Sequence, residues 1–448
     1  MKNKLLILAA FAWGSYATAE AATRVFTLQE CIDYALQHNI TIKKAEALTL
    51  TQDINLKERK AAWLPTLSAS LSESATWRPF QESAVTYVNG SLTGSSAKKV
   101  TESGSYGVNA NWLVYNGRQR EMNIESAELA NKISQLSLTE QQNALVERIA
   151  QLYVQILYMQ EAVKVNEKIL HQDSIIWQRG VAFMENGKMA RASVLELEAT
   201  VSSGQYDLVN TRTQISQAKL ELAQILELPA GESLDVAAPS LSDAAAMKPI
   251  PDRMDVYSRA VASRPEVKSA QLGIEQSQLA TRIAKAARIP SISLNAGLND
   301  SHMTGAANSF GQQLKNNFNA NVGVGVSIPI LDQRRVKSNV ERAKVDELTA
   351  QLNLDDAKKT LYQNIEQYWL TATNSQQKFA ASQSNVKSRE ASFQLLDEQF
   401  KVGLKNISDL LQSRTALLQS RQTLLQDKYT TVLYRSLLNF YGGEPLEF

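Results

Sequence analysis

The chain has 448 residues, 47 basic against 45 acidic side chains, one cysteine and ten prolines. A mean hydropathy of −0.26 excludes a polytopic helical membrane protein, balanced charge leaves no footprint for a nucleic-acid partner, and one cysteine excludes a disulfide framework or a cysteine-rich zinc site. An apolar share of 44% with so little proline excludes a disordered chain.

Lys2 and Lys4 precede an apolar run over 5–13, and Ala17-Thr18-Ala19 offers small residues where a signal peptidase reads. Residues 1–19 are therefore predicted to be a secretory signal, and the run is short for an uncleaved anchor. Cys31 lies beyond the cleavage site in a helical pattern and reads as a buried thiol rather than a lipidation site. The protein is expected to be exported.

A helical pattern over 27–63 ends before Pro65, and a second over 254–289 ends before Pro290, because proline disfavours helix in the residue before it. The surroundings of the two prolines repeat. Ala61-Ala62-Trp63-Leu64-Pro65 returns as Ala286-Ala287-Arg288-Ile289-Pro290, an offset of 225. Further on the offset is 216: Gln151 maps to Gln367, Gly187 to Gly403, Val194 to Leu410 and Pro229 to Pro445. The chain reads as two copies of one unit, 20–228 and 254–448, joined by a connector over 229–253 that is too apolar to be a free linker. Each copy runs helix, strand, strand, long helix, break, long helix.

The strands are predicted over about 66–78, 104–114, 290–300 and 317–329. Val322, Val324 and Val326 alternate with Asn321, Gly323 and Gly325, and Leu294, Ala296 and Leu298 alternate with Asn295, Gly297 and Asn299. Period 2 over about ten residues, apolar on one side and Asn/Ser/Gly on the other, is the pattern of a membrane β-barrel strand. Trp77, Phe80, Tyr106, Trp112 and Tyr115 fall near strand ends, where aromatic girdles sit. The first strand is weaker, because Glu73 falls on the apolar phase. Hydrocarbon tolerates no unpaired strand edge, and four strands cannot close. Closure requires several chains, and three chains would supply twelve strands.

After each strand pair comes a segment nearly free of helix breakers. Residues 118–183 hold no proline and only Gly180, and 332–400 hold neither proline nor glycine. Such helices run about 90–100 Å at ~1.5 Å per residue and need a coiled-coil-like partner. Val194, Val201, Leu208, Ile215 and Leu222 stand seven apart, as do Leu410, Leu417, Leu424, Thr431 and Leu438. A strict heptad implies left-handed supercoiling.

These features together resemble the TolC family of outer-membrane efflux proteins: the signal, the two-fold repeat, Tyr115-Asn116-Gly117-Arg118 and Pro329-Ile330-Leu331-Asp332 opening long helices, and Phe400-Lys401-Val402-Gly403-Leu404 followed by Asp409-Leu410-Leu411. The resemblance covers the mature chain from about Phe26. It implies a homotrimer with a shared twelve-stranded barrel in the cell outer membrane and long helices forming an α-barrel in the periplasm. It implies passive conduction of small molecules from an inner-membrane transporter through a periplasmic adaptor. The adaptor-contact stretch corresponds to Val402, Gly403 and Leu404. The first-half tip, Asn186, Gly187 and Lys188, departs from that stretch. The acidic constriction corresponds to Asp409. The second aspartate of the family is Gln412 here, its basic neighbour is Lys405, and the repeat image of Asp409 is Ser193. As a helix-cap or first-turn carboxylate, Asp409 would serve structure instead.

No catalytic constellation is expected. His38, His171 and His302 lack metal-ligand spacing, there is no phosphate loop or nucleophile elbow, and Gly323-Val324-Gly325 lies within a strand pattern. No cofactor or metal is expected. Two alternatives stay open from sequence: an exit duct for type I protein secretion, and an exported coiled-coil scaffold without a pore.

Overall fold

The computed structural model describes residues 24–80, 85–88, 91–94, 99–238, 241–304, 306 and 308–448; the predicted signal lies outside them. In chain order the elements are β1 (Arg24–Phe26), α1 (Leu28–His38), α2 (Ile40–Ala61), β2 (Thr66–Trp77), β3 (Val85–Val88), β4 (Ser91–Gly94), β5 (Val100–Tyr115), α3 (Gln119–Glu185), α4 (Arg191–Ile225), β6 (Leu234–Val236), α5 (Asp243–Ala246), α6 (Arg253–Ser263), α7 (Pro265–Ala286), β7 (Ser291–Met303), α8 (Phe310–Asn317), β8 (Asn319–Ser327), α9 (Arg335–Lys401) and α10 (Ile407–Tyr441). The repeat is kept to the residue in the long helices. α3 and α9 each have 67 residues, α4 and α10 each have 35, and each pair starts 216 positions apart.

The helices expected over 27–63 and 254–289 are each broken once. Asn39 and Arg264, again 225 apart, are extended C-caps whose N–H groups bond Ala35 and Ala260. Arg264 is forced out of the helical region by Pro265. Asn39 reaches the same geometry through its side chain: its carboxamide oxygen accepts from Thr41 N–H at 2.8 Å, and its amide donates to the Ile225 carbonyl at 2.8 Å. α1 itself opens on a reciprocal capping box between Thr27 and Glu30.

Two compact units result, and both repeats contribute to each. Among the described residues, one comprises 24–45, 138–264 and 359–448. Its main core gathers Phe26, Cys31, Ile149, Tyr153, Ile156, Leu157, Leu222, Leu226 and Leu437. β1 and β6 pair in parallel over it, and the Tyr153 hydroxyl donates to the Ala237 carbonyl at 2.6 Å. The carboxylate of Glu147 on α3 accepts from Tyr368 of α9 and, at 3.3 Å, from Tyr441 of α10. The connector packs on helices: Arg435 donates to the Ala245 carbonyl, and Gln376 to the carbonyls of Ala246 and Lys248. A separate cluster of Ile176, Leu197, Phe393, Phe400, Ile407, Leu410 and Leu417 draws on all four long helices.

The other unit comprises residues 46–137 and 265–358. It holds an antiparallel sheet in the order β2-β5-β7-β8. Leu67, Val108, Ala110, Ala296, Leu298, Ala320 and Val322 share one face. The other face carries Ser, Asn and Gly. β2 and β8 are edges with no strand beyond them among the described residues. At the base of the sheet, the Arg120 guanidinium lies 3.5 Å over the Trp63 ring and donates to the carbonyls of Leu113 and Val114, tying the start of α3 to the end of β5.

The strand bounds differ from those expected in sequence. β5 begins at Val100 and β7 runs to Met303, while β8 is shorter at both ends, because α8 takes the residues before it and Pro329, with no N–H to donate, follows it. Glu73 stays in β2 because Gly104, its cross-strand neighbour, leaves room for its side chain. There it accepts from the Tyr106 hydroxyl and lies 3.7 Å from His302. Beyond Asn299, where β8 has ended, side chains of α8 replace a strand. Gln313 accepts from Met303 N–H at 2.9 Å and donates to the Met303 carbonyl at 3.2 Å, and Asn317 donates to the Ser301 carbonyl at 2.6 Å.

Candidate functional site: the paired hairpin tips

α3 turns into α4, and α9 into α10, through the same tight turn. Gly187 and Gly403 have φ of +67° and +77°, a region in which glycine escapes the Cβ clash. Gly187 N–H bonds Met184 and Lys188 N–H bonds Phe183; in the second turn Gly403 bonds Phe400 and Leu404 bonds Gln399. This pair of 5→2 and 6→1 bonds is a Schellman motif. The divergent first tip, Asn186-Gly187-Lys188, therefore has the backbone of Val402-Gly403-Leu404 and differs only in what it displays. Val402 and Leu404 project apolar side chains that are 70% and 75% exposed. An added Cβ on either glycine would meet nothing within 4 Å.

The two tips share a cleft of about 520 Å³. Phe183, Met189, Phe400 and Ile407 form its apolar part, and Lys188 and Lys405 are among its basic residues. Ser193 lines the same cleft and Gln412 is exposed one helical turn beyond Asp409. Asp409 is not the cap of α10. Asn406 is the N-cap, accepting from Asp409 N–H at 2.8 Å, so Asp409 is a first-turn carboxylate, where the helix dipole favours it. Lys405 approaches Asp409 at 3.4 Å, and both side chains are more than a third exposed. Such a pair contributes no more than ~0.5 kcal/mol.

Sequence reasoning missed the strongest polar contact of this unit. Arg414 of α10 grips Asp173 of α3: its Nε lies 3.0 Å from both carboxylate oxygens, and Nη2 also bonds Oδ2. The side chains are 12% and 2% exposed. Burial pushes the Asp173 carboxyl above its usual range, and the guanidinium opposes that shift. Gly204 of α4 lies over the pair, where a Cβ would stand 3.1 Å from Leu170. A lone glycine inside the heptad run was the one available signal. A further tie, Arg179 to Asp397 at 3.0 Å, joins α3 to α9. Among the described residues no helix is long and apolar enough to cross a membrane, which leaves a β-barrel open, and no cluster of three or more metal-ligating side chains occurs.

Comparison with known proteins agrees with this architecture. The Outer membrane efflux protein BepC of Brucella suis is 22% identical over 414 residues, 92% of this chain and 84% of that protein. An uncharacterized Haemophilus influenzae protein is 22% identical over 288 residues; the match spans 64% of this chain and 62% of the relative's length. The crystal structure of CusC superposes with a TM-score of 0.79 at 17% identity, covering 96% of both chains. Residues 31–227 and 256–438 match the model of the Outer membrane efflux protein family, and the chain belongs to that family.

Proposed function

We propose that the chain is the outer-membrane exit duct of a tripartite efflux system, a conduit rather than a catalyst. The open sheet carries this reading. Its apolar face suits lipid and its Ser/Asn/Gly face suits water, yet β2 and β8 leave unpaired backbone groups that hydrocarbon would not tolerate. Three copies, each giving four strands, close a twelve-stranded barrel by joining β8 of one to β2 of the next. The long helices of the three copies then form the periplasmic tunnel.

The tips are the docking surface for a periplasmic adaptor, which couples the duct to an inner-membrane transporter. Val402 and Leu404 offer apolar anchors on a rigid turn, and Asn186, Gly187 and Lys188 form the second, more polar half of the contact. Asp409, three times around one axis, makes the entrance negative and favours cations, with Lys405, Gln412 and Ser193 tuning it. The relatives BepC and CusC are named for efflux, and small molecules are the cargo in this reading. The test is Gly403→Trp. It should abolish efflux in cells while trimer abundance and membrane insertion stay unchanged. Transport that survives the substitution would remove the tip from the docking surface.

A further inference from the structure

The buried Asp173–Arg414 pair has an image in the repeat. Shifting each residue by 216 places turns Asp173 of α3 into Arg389 of α9, and Arg414 of α10 into Glu198 of α4. The image is again an acid and an arginine, with the charges exchanged. Within one chain, Arg389 and Glu198 are both exposed and neither takes part in a salt bridge. Glu198 lies on a stripe of α4 that also holds Leu195, Tyr206 and Val209, all exposed.

The second tie between the hairpins behaves in the same way. Arg179 and Asp397 map to Leu395 and Val181. The ionic pair becomes an apolar one, and Leu395 is left 61% exposed. Two contacts that join the first hairpin to the second within a chain thus each have a chemically matched but unmade copy.

We infer that adjacent subunits meet by repeating the packing found inside one chain, with Arg389 of one chain paired to Glu198 of the partner subunit and Leu395 set on Val181 of the partner subunit. This rests on the trimeric assembly proposed above. It assigns the α4 and α9 faces to a second copy of the chain and to no other partner. The charge distribution also matches the order of hairpins that a closed ring of three chains imposes. The α3–α4 hairpin carries an acid on each flank, Asp173 and Glu198, and the α9–α10 hairpin an arginine on each flank, Arg389 and Arg414. First hairpins set side by side would face acid with acid, and second hairpins arginine with arginine. Strict alternation is the arrangement that pairs every charge, and like-charge contacts at an interface are disfavoured.

The experiment uses the full chain in membranes, with Cys31→Ser as background. Glu198→Cys with Arg389→Cys should give covalent dimers and trimers with a short bis-maleimide. Asp173→Cys with Arg414→Cys should cross-link within a chain and leave it at the monomer position on a denaturing gel. Glu198→Arg should lower the temperature at which the detergent-extracted trimer dissociates, and adding Arg389→Glu should restore it. Size exclusion with light scattering reports the oligomer separately. An intact trimer without inter-chain product at 198/389, or a double reversal no better than the single one, would overturn the contact. A monomer would overturn the assembly and the contact together.

Discussion

Removing Arg414 tests whether the Asp173 pair is as buried as its geometry indicates. In Arg414→Met the carboxylate of Asp173 would keep a side chain only 2% exposed and lose its bidentate partner. Breaking a buried pair from one side costs about 3–5 kcal/mol, because the remaining charge is left without compensation. Asp173→Leu combined with Arg414→Met removes both charges and fills similar space beside Leu170, so the double variant should lie within about 1 kcal/mol of wild type. The single variant should also acquire a pH dependence. Burial already raises the Asp173 pKa, and without the guanidinium nothing opposes that rise. A carboxyl whose native pKa exceeds its unfolded value contributes its stability below the unfolded pKa and loses it as pH rises through the native one. The deficit of Arg414→Met should therefore be full at pH 8 and shrink towards pH 4. Urea midpoints of the helical circular dichroism signal, for the three proteins at both pH values, measure this. A single-variant deficit below about 1 kcal/mol, or one that is the same at both pH values, would refute the argument.

Asp409→Ala should raise conductance or reduce cation preference in single-channel recordings without altering the oligomer; traces equal to wild type would leave Asp409 as a first-turn carboxylate only. Cys31 is fully buried and its thiol is pushed up to about 12, mainly by burial, so at pH 8 alkylation of the native protein should be about a thousandfold slower than in denaturant. The hydroxyls of Tyr153, Tyr429 and Tyr441 are likewise pushed up to about 12 by burial. Their stabilisation is complete below the ordinary tyrosine range and is lost as pH rises towards 12. A steep alkaline transition is expected in which these three tyrosinates appear only on unfolding, and ionisation of the three in the folded state would contradict it.

Much of the architecture was legible because it is written in long, redundant patterns. The absence of breakers over 332–400 announces α9, and the offset of 216 recurs in the helix bounds themselves. Alternation exposed the strand phases, and the glycine of each tip marked its turn. Short or long-range features were not legible. Asn39 breaks a helix with its own side chain, where its image Arg264 is moved by a proline. α8 has only eight residues, too few for the spacing of Phe310 and Leu314 to stand out. Asp173 and Arg414 are 241 positions apart, and nothing in either helix points to the other. Glu73 looked out of place because the vacancy that receives it, at Gly104, belongs to another strand.

The sheet raises a further question, because alternation fixes which side of a strand faces where but does not fix its alignment along its neighbour. A slip of one residue would turn every side chain over; a slip of two would preserve the polar and apolar faces completely. β8, reading Asn-Ala-Asn-Val-Gly-Val-Gly-Val-Ser, is repetitive enough to make such slips a real competitor. On the polar face, four pairs set an asparagine opposite a glycine: Asn109 against Gly297, Gly297 against Asn321, Asn295 against Gly323, and Gly107 against Asn299. The carboxamides occupy the vacancies, so that a Cβ on Gly297 would come within 2.8 Å of Asn109 and 2.9 Å of Asn321. Moving β8 by two places would set Asn295 against Asn321 in one direction and Gly297 against Gly323 in the other, and either breaks this interlock. The amides of α8 add a second stop, since Gln313 and Asn317 meet β7 only at Met303 and Ser301. The small polar residues of the pore wall thus act as teeth and notches that select one alignment among several equally amphipathic ones.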